Sequence, residues 1–256
     1  MIDGHIHLEY GDYALEYIQK FVDKAVEMHL DEIWLLEHNY MFPEFSSMYD
    51  SVCAHSSFVN DWFGRKSYES YLDLIKKVRK EVYPVKIRFG LEVCYFKGYE
   101  DLVVQLTKDK GLDFLLGSIH FVGDFAFDHT AELWKGVDVD ETYRRYFEDS
   151  CSLAESHIFD GIGHPDSIKL FGHKPSFSLM DYYERLAEAL SESHMYADQN
   201  SGIERRCPDT ASLGMDPELI KILKNHNVPI ITSSDAHYPE DVGYKIRELN
   251  NCIEEI

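Results

Sequence analysis

"MIDGHIH" (Met1–His7) places two histidines one residue apart after a short apolar start. Read as a strand, the run sends side chains two apart to the same face, about 7 Å from each other along the chain. His5 and His7 would then converge on one point. Six further apolar, β-type runs follow: EIWLLEH (Glu32–His38), VKIRFGLEV (Val85–Val93), FLLGSIHFV (Phe114–Val122), IFDGIGHP (Ile158–Pro165), MYADQNSG (Met195–Gly202) and VPIITSSDAH (Val228–His237). Between them lie longer segments with apolar residues at three- and four-residue steps, the helical period: Ala14–Leu30, Ser67–Tyr83, Glu100–Gly111, Glu141–His157, Leu179–His194 and Asp216–Asn227. A last helix is expected within Asp241–Ile256. Strict alternation predicts an α/β fold with a parallel sheet and helical crossovers, and seven such units close more naturally into a barrel than into an open sheet.

Length and composition agree with that reading. The 256 residues, 45% of them hydrophobic, suffice for one large domain, and residues 1–256 are expected to form one. No stretch approaches the ~18 consecutive apolar residues of a membrane span, and the first residues lack the basic-then-apolar pattern of a signal peptide, so a cytoplasmic protein without a membrane partner is expected. The cysteines Cys53, Cys94, Cys151, Cys207 and Cys252 are odd in number and form no C-x-x-C pair, which argues against a disulfide framework and a thiolate zinc site. With 46 acidic against 25 basic residues the formal charge is −21. Such a surface repels phosphate backbones, so no nucleic-acid partner is expected. Oligomeric state leaves no mark on the sequence.

The histidines locate the chemistry. His38 ends the second run, Glu92 lies near the end of the third and His120 near the end of the fourth; His164 ends the fifth, and Asp235 and His237 end the seventh. With His5 and His7 this puts eight metal-type side chains at the C-terminal rim of the strands, the edge where parallel α/β folds form their sites. Isolated histidines or capping acids would not recur there. His29, His157, His194 and His226 end predicted helices, where an imidazolium suits the dipole, and are read as structural. His55, His129 and His173 fall in loops and carry no assignment. Two connections, residues 39–66 and 123–138, are long enough to cover a site.

Together "DGHIH", "EH", the glutamate of "GLEV", "GSIH", "GHPD" and "SDAH" resemble, in order and spacing, the polymerase and histidinol phosphatase (PHP) superfamily over essentially the whole chain. "LEHNYMFPEF", "NSGIERR" and "SDAHYPEDVG" resemble its histidinol-phosphatase branch. The resemblance implies a distorted (β/α)7 barrel with two or three divalent ions (manganese, iron or zinc) hydrolysing a phosphoester, here L-histidinol phosphate in histidine synthesis. It assigns His5, His7, Glu92 and Asp235 to a first ion and Glu92, His120 and His164 to a second. A third falls to His38 and His237 with a ligand from the loop after the first strand. Many members carry a histidine in that loop; this chain reads "LEYGDYA", leaving Asp12, or Glu9, as the substitute.

The chemistry also follows from the donor types. Clustered divalent ions neutralise a phosphate and lower the pKa of a bound water from about 15.7 toward 7, so hydroxide attacks phosphorus in line without a covalent nucleophile. Ser118, Ser201, Ser233 and Ser234 show no Ser-His-Asp pattern and are expected to play supporting roles. Phosphate oxygens need cations, for which Arg205 is favoured over Arg206, with Lys169 and Arg65 as further candidates. His237 is the candidate proton donor to the leaving group, beside Asp235 and Arg205 as catalytic groups, and Glu44, Phe45 or Trp62 are candidates for reading the imidazole or amine. The expected partner is a small phosphorylated metabolite. Competing readings are a phosphatase or phosphodiesterase for another small phosphoester such as a nucleotide, and a catalytically silent metal-binding module. An amidohydrolase-type barrel would bring a lysine at a middle strand end, and none stands there.

Overall fold

The computed structural model describes residues 1–53 and 63–256. Seven parallel strands lie side by side in chain order: β1 (Ile2–His7), β2 (Glu32–Leu36), β3 (Lys86–Cys94), β4 (Phe114–Ser118), β5 (Gly161–Ile162), β6 (Tyr196–Asn200) and β7 (Ile230–Ser233). Among the described residues, seven helices of eight residues or more cross over between or follow them: α1 (Leu15–Glu27), α2 (Tyr68–Val78), α3 (Glu100–Thr107), α4 (Val139–Glu155), α5 (Met180–Glu192), α6 (Pro217–Asn225) and α7 (Ile246–Glu255); a short helical turn, Gly202–Arg206, follows β6. The sheet curls into a nearly closed barrel. Its ends meet through one parallel bridge between Ile6 and Ala236, where the His7 amide donates to the Ala236 carbonyl at 2.7 Å. The buried Asp3 side chain strengthens the seam by accepting from the Ser234 amide (2.8 Å), the Ser234 hydroxyl (2.6 Å) and the Gly243 amide (2.8 Å). The seven-unit barrel expected from the alternation is the one observed, distorted as the family resemblance implies, with β5 reduced to two residues.

The strand period explains how the barrel fills. Inward-facing Trp34, Phe114 and Tyr196 plug its base, with ring centroids 5.0 Å apart for Trp34–Phe114 and 5.4 Å for Trp34–Tyr196. Glycines face these rings because nothing larger fits. A Cβ on Gly161 would stand 2.3 Å from the Tyr196 ring, and one on Gly90 2.4 Å from Phe114. Outside, amphipathic helices bury one stripe each, as α1 does with Ile18, Phe21, Val22 and Ala25.

Helix ends follow capping chemistry. Ser67, Asp138 and Asp216 accept backbone N–H bonds at the starts of α2, α4 and α6. His29, His157 and His194 stand just past α1, α4 and α5 with φ near +57°, where glycine or asparagine is usual. Their structural reading therefore holds, with left-handed caps as a reason added to the helix dipole.

Adding one methyl group at Gly161 tests the base packing. Gly161→Ala should destabilise the fold by about 1–3 kcal/mol through overpacking, read as a lower midpoint in urea or thermal denaturation; an unchanged midpoint would show that the Tyr196 ring yields freely.

Candidate metal centre

At the C-terminal rim the strands bring Glu92 to the middle of a ring of imidazoles. Glu92 sits near the end of β3, fully buried, and His120 Nε2 (3.1 Å) and His164 Nε2 (3.2 Å) meet its Oε1. Around Oε2 stand His38 Nδ1 at 2.7 Å, His7 Nε2 at 3.4 Å and His5 Nε2 at 3.5 Å. None of these makes an aligned hydrogen bond with that oxygen. His5 and His7 do converge, their Nε2 atoms 2.9 Å apart, and Asp235 Oδ1 lies 3.6 and 3.4 Å from them. His237 Nε2 stands 3.5 Å from the same Asp235 oxygen.

Three groups of donors are thereby close enough to share an ion: His5, His7 and Asp235; His38, Glu92 and His120; and His7, His38 and His237. A buried carboxylate oxygen without a hydrogen bond, faced by several nitrogen lone pairs, fits a divalent cation.

Local geometry makes this possible. Asp235 and His164 both take left-handed backbone, φ +52° and +32°, which costs energy and turns their side chains into the ring. Gly202 must lack a side chain, because a Cβ there would lie 2.6 Å from Asp235 Cβ.

Electrostatics in the metal-free protein follow from the crowding. Burial alone would raise the Glu92 and Asp235 carboxyls, yet the surrounding imidazoles, His38 and His5 around Glu92 and His5 foremost around Asp235, hold both well below the usual carboxylate range. Against its own burial, His5 is pushed well above the ordinary imidazole value by Asp235 and Glu92, and His120 up to about 10 by Asp128 and Glu92. His7, desolvated and beside His38 and His237, falls to about 3.

Three carboxylates hold the ring from behind: Asp198 and Asp128, which pattern reading did not place in the site, and Glu9, the alternative to Asp12 in the loop after β1. His5 Nδ1 is 3.0 Å from Asp198 Oδ2, His120 Nδ1 is 2.7 Å from Asp128 Oδ2, and His237 Nδ1 pairs with Glu9. Each accepts a hydrogen bond from the Nδ1–H and leaves Nε2 turned toward the cluster, the arrangement found behind metal-bound histidines. "D-Q-N" on β6 and the acid within 123–138 were visible in the sequence, but nothing local marks them as partners.

The cluster opens into a cavity of about 500 Å³ lined by Tyr10, Tyr40, Tyr49, Phe121, Ile203, Arg205, Arg206 and Tyr238, among others. Arg205 donates to the Asp241 carboxylate and to the Asp235 carbonyl (2.6 Å), and Arg206 to the His129 carbonyl (2.7 Å).

A model of the PHP domain family matches residues 3–202. The chain belongs to the PHP domain family. Among PHP relatives, one named "Probable histidinol-phosphatase" from Deinococcus radiodurans is 25% identical over all of this chain and 94% of its own length. The histidinol-phosphatase of Bacillus subtilis is 24% identical, covering 94% of this chain and 95% of its own. In fold, the chain is similar to the histidinol phosphate phosphatase of Lactococcus lactis, solved with zinc, L-histidinol and phosphate. That match has a TM-score of 0.74 and 19% identity, and covers 99% of this chain and 92% of the other.

Several expected site residues stand elsewhere in this PHP domain. Asp12 is exposed after the turn in which the Gly11 amide donates to the Leu8 carbonyl, and the buried carboxylate that reaches the ring from this loop is Glu9. Lys169 lies outside the cavity lining, its ammonium held by Asp166 (2.6 Å) and the Gly214 carbonyl (2.6 Å). Arg65 is exposed and outside the cavity lining, Glu44 is exposed, and Phe45 is buried in the core against Tyr68. His55 and Trp62 lie outside the described residues. His129 lines the cavity, whereas His173 stacks on Trp134 at 4.3 Å.

Because the metal-free site keeps protons on His5 and His120 that a cation must displace, metal affinity is expected to rise with pH. Calorimetric titration with manganese in buffers of differing ionisation enthalpy should show proton release on binding and an apparent affinity that strengthens from about pH 6 to pH 8. Pulling Asp235 out of line with Gly202→Ala should weaken binding at every pH, and an unaltered affinity would show that the neighbouring backbone absorbs the extra methyl.

Proposed function

We propose that this PHP domain, acting as one unit over residues 1–256, is a metal-dependent phosphomonoesterase converting L-histidinol phosphate and water to L-histidinol and phosphate. The observation that carries the reading is the Glu92-centred donor cluster opening into a cavity that also presents Arg205 and Arg206. Full-length similarity to histidinol-phosphatases supports the substrate. A cavity of about 500 Å³ in a chain of charge −21 suits a small monoester better than a nucleic-acid strand. The reading places the enzyme in the cytoplasm and in histidine biosynthesis.

Residue roles follow from position. His5, His7, His38, Glu92, His120, His164, Asp235 and His237 are the donors for two or three divalent ions, and imidazole with carboxylate admits manganese, iron or zinc. When bound, the ions supply the Lewis-acid charge that activates water and neutralises the phosphoryl group. Arg205 is fixed by Asp241 and the Asp235 carbonyl, which leaves further guanidinium donors to meet phosphate oxygens as charge develops on them. Arg206, tied to the His129 carbonyl at the cavity wall, gives a second positive charge. His237 also lines the cavity, and Glu9 raises its basicity against the effect of burial; when its Nε2 is not taken up by a third ion, that nitrogen is suited to return a proton to the departing alkoxide. Tyr40, Tyr49 and Phe121 supply aromatic walls for the organic part of the substrate.

Phosphate release from L-histidinol phosphate, compared with a generic monoester and a diester, tests the assignment. Protein reloaded with manganese, iron or zinc should prefer histidinol phosphate, lose activity to a chelator, and lose at least about a hundredfold with His5→Ala. Arg205→Gln should lower kcat/KM by about 10²–10³ while metal content stays intact. Turnover confined to other phosphoesters would move the substrate assignment, and no turnover with any metal would remove the enzyme reading.

A further inference from the structure

Donors for the cluster come from β1 and β3 and from the chain just beyond β2, β4, β5 and β7; β6 provides none. What β6 provides is Asp198, a buried carboxylate whose bonds reach two ligands directly, His5 and His164, and a third, Asp235, through Asn200. Its Oδ2 lies 3.0 Å from His5 Nδ1 and accepts from the His164 backbone N–H (3.3 Å) and the Asn200 side-chain amide (3.1 Å). Its Oδ1 takes the Ser233 hydroxyl of β7. The same Asn200 amide is 3.3 Å from Asp235 Oδ2, and Asn200 Oδ1 accepts the Gly202 N–H at 2.6 Å, which holds the glycine that lies against Asp235.

From this geometry we infer that Asp198 is a positioning residue that sets the register of two ligand groups at once, the one built on His5, His7 and Asp235 and the one in which His164 meets Glu92. Three features separate it from an ordinary buried acid. It fixes the His5 tautomer with Nε2 toward the cluster. It grips the N–H of His164, whose φ of +32° needs outside support. Through Asn200 it reaches Asp235, the other left-handed ligand. Asp128, by contrast, touches one imidazole ligand, His120. The inference rests on reading the cluster as a metal centre and is independent of which phosphoester is the substrate.

Asp198→Asn and Asp128→Asn, each stripped of metal and titrated calorimetrically with manganese, provide the test. Asp198→Asn should weaken two equivalents together, each about ten- to a hundredfold, while Asp128→Asn weakens one. At saturating manganese the KM of Asp198→Asn should stay within about twofold of wild type, since Asp198 does not meet substrate. Weakening of a single equivalent, unchanged binding, or a large KM rise with full metal would each overturn the inference. If near-ultraviolet circular dichroism shows that Asp198→Asn does not fold, Asp198→Glu, which keeps the charge and shifts the carboxyl by one methylene, decides in its place on the same joint weakening. A wild-type protein that binds no manganese, iron or zinc would instead remove the metal-centre reading itself, so the two failures are told apart.

Discussion

Everything at the rim is arranged around the burial of one carboxylate, Glu92, among five imidazoles. A charged group removed from water costs several kcal/mol unless opposite charge and hydrogen bonds replace the solvent. Asp235, beside His5 and His7, adds a second buried negative charge. In the metal-free protein protons on His5 and His120 answer these charges, and bound cations would do so in their place. The same pressure keeps His7 neutral, because a further positive charge beside His38 and His237 in a dry interior is opposed by both burial and repulsion.

A ring of imidazoles is useful only if each presents the right nitrogen. Asp198, Asp128 and Glu9 meet that need from β6, from the 123–138 connection and from the loop after β1, each facing an Nδ1. Negative charge therefore accumulates in two layers, ligands and the carboxylates behind them. Part of the overall charge of −21 is thus concentrated where divalent cations can offset it. The long connections contribute in the same way: 123–138 carries Asp128 and His129, and the described part of 39–66 carries Tyr40 and Tyr49 to the cavity wall.

Left-handed backbone recurs at helix ends, but at two positions it serves the site. His164 and Asp235 hold left-handed backbone that neither glycine nor asparagine provides, and each is braced by a buried aspartate: Asp198 on the His164 amide, Asp3 on the Ser234 amide just before Asp235. Asp3 also closes β1 onto β7, so the seam of the barrel and the seat of a ligand share one side chain. Stability and site geometry are therefore coupled at that point.

By itself the sequence determined the seven strand-and-helix units and the placing of His5, His7, His38, Glu92, His120, His164, Asp235 and His237 at strand ends, because strand and helix periods are local; the fold gathers these side chains at one rim. Only the tertiary structure decided which acids stand behind them. Asp12 and Glu9 are near neighbours in the chain, yet a turn exposes one and buries the other; Lys169 looks like a phosphate ligand until Asp166 and the Gly214 carbonyl are seen to hold it. Asp198 lies 193 residues from His5 in the chain and 3.0 Å from it in space. Periodicity tells which face a side chain takes, but a hydrogen-bond partner is chosen by barrel closure, which brings distant strand ends within bonding distance.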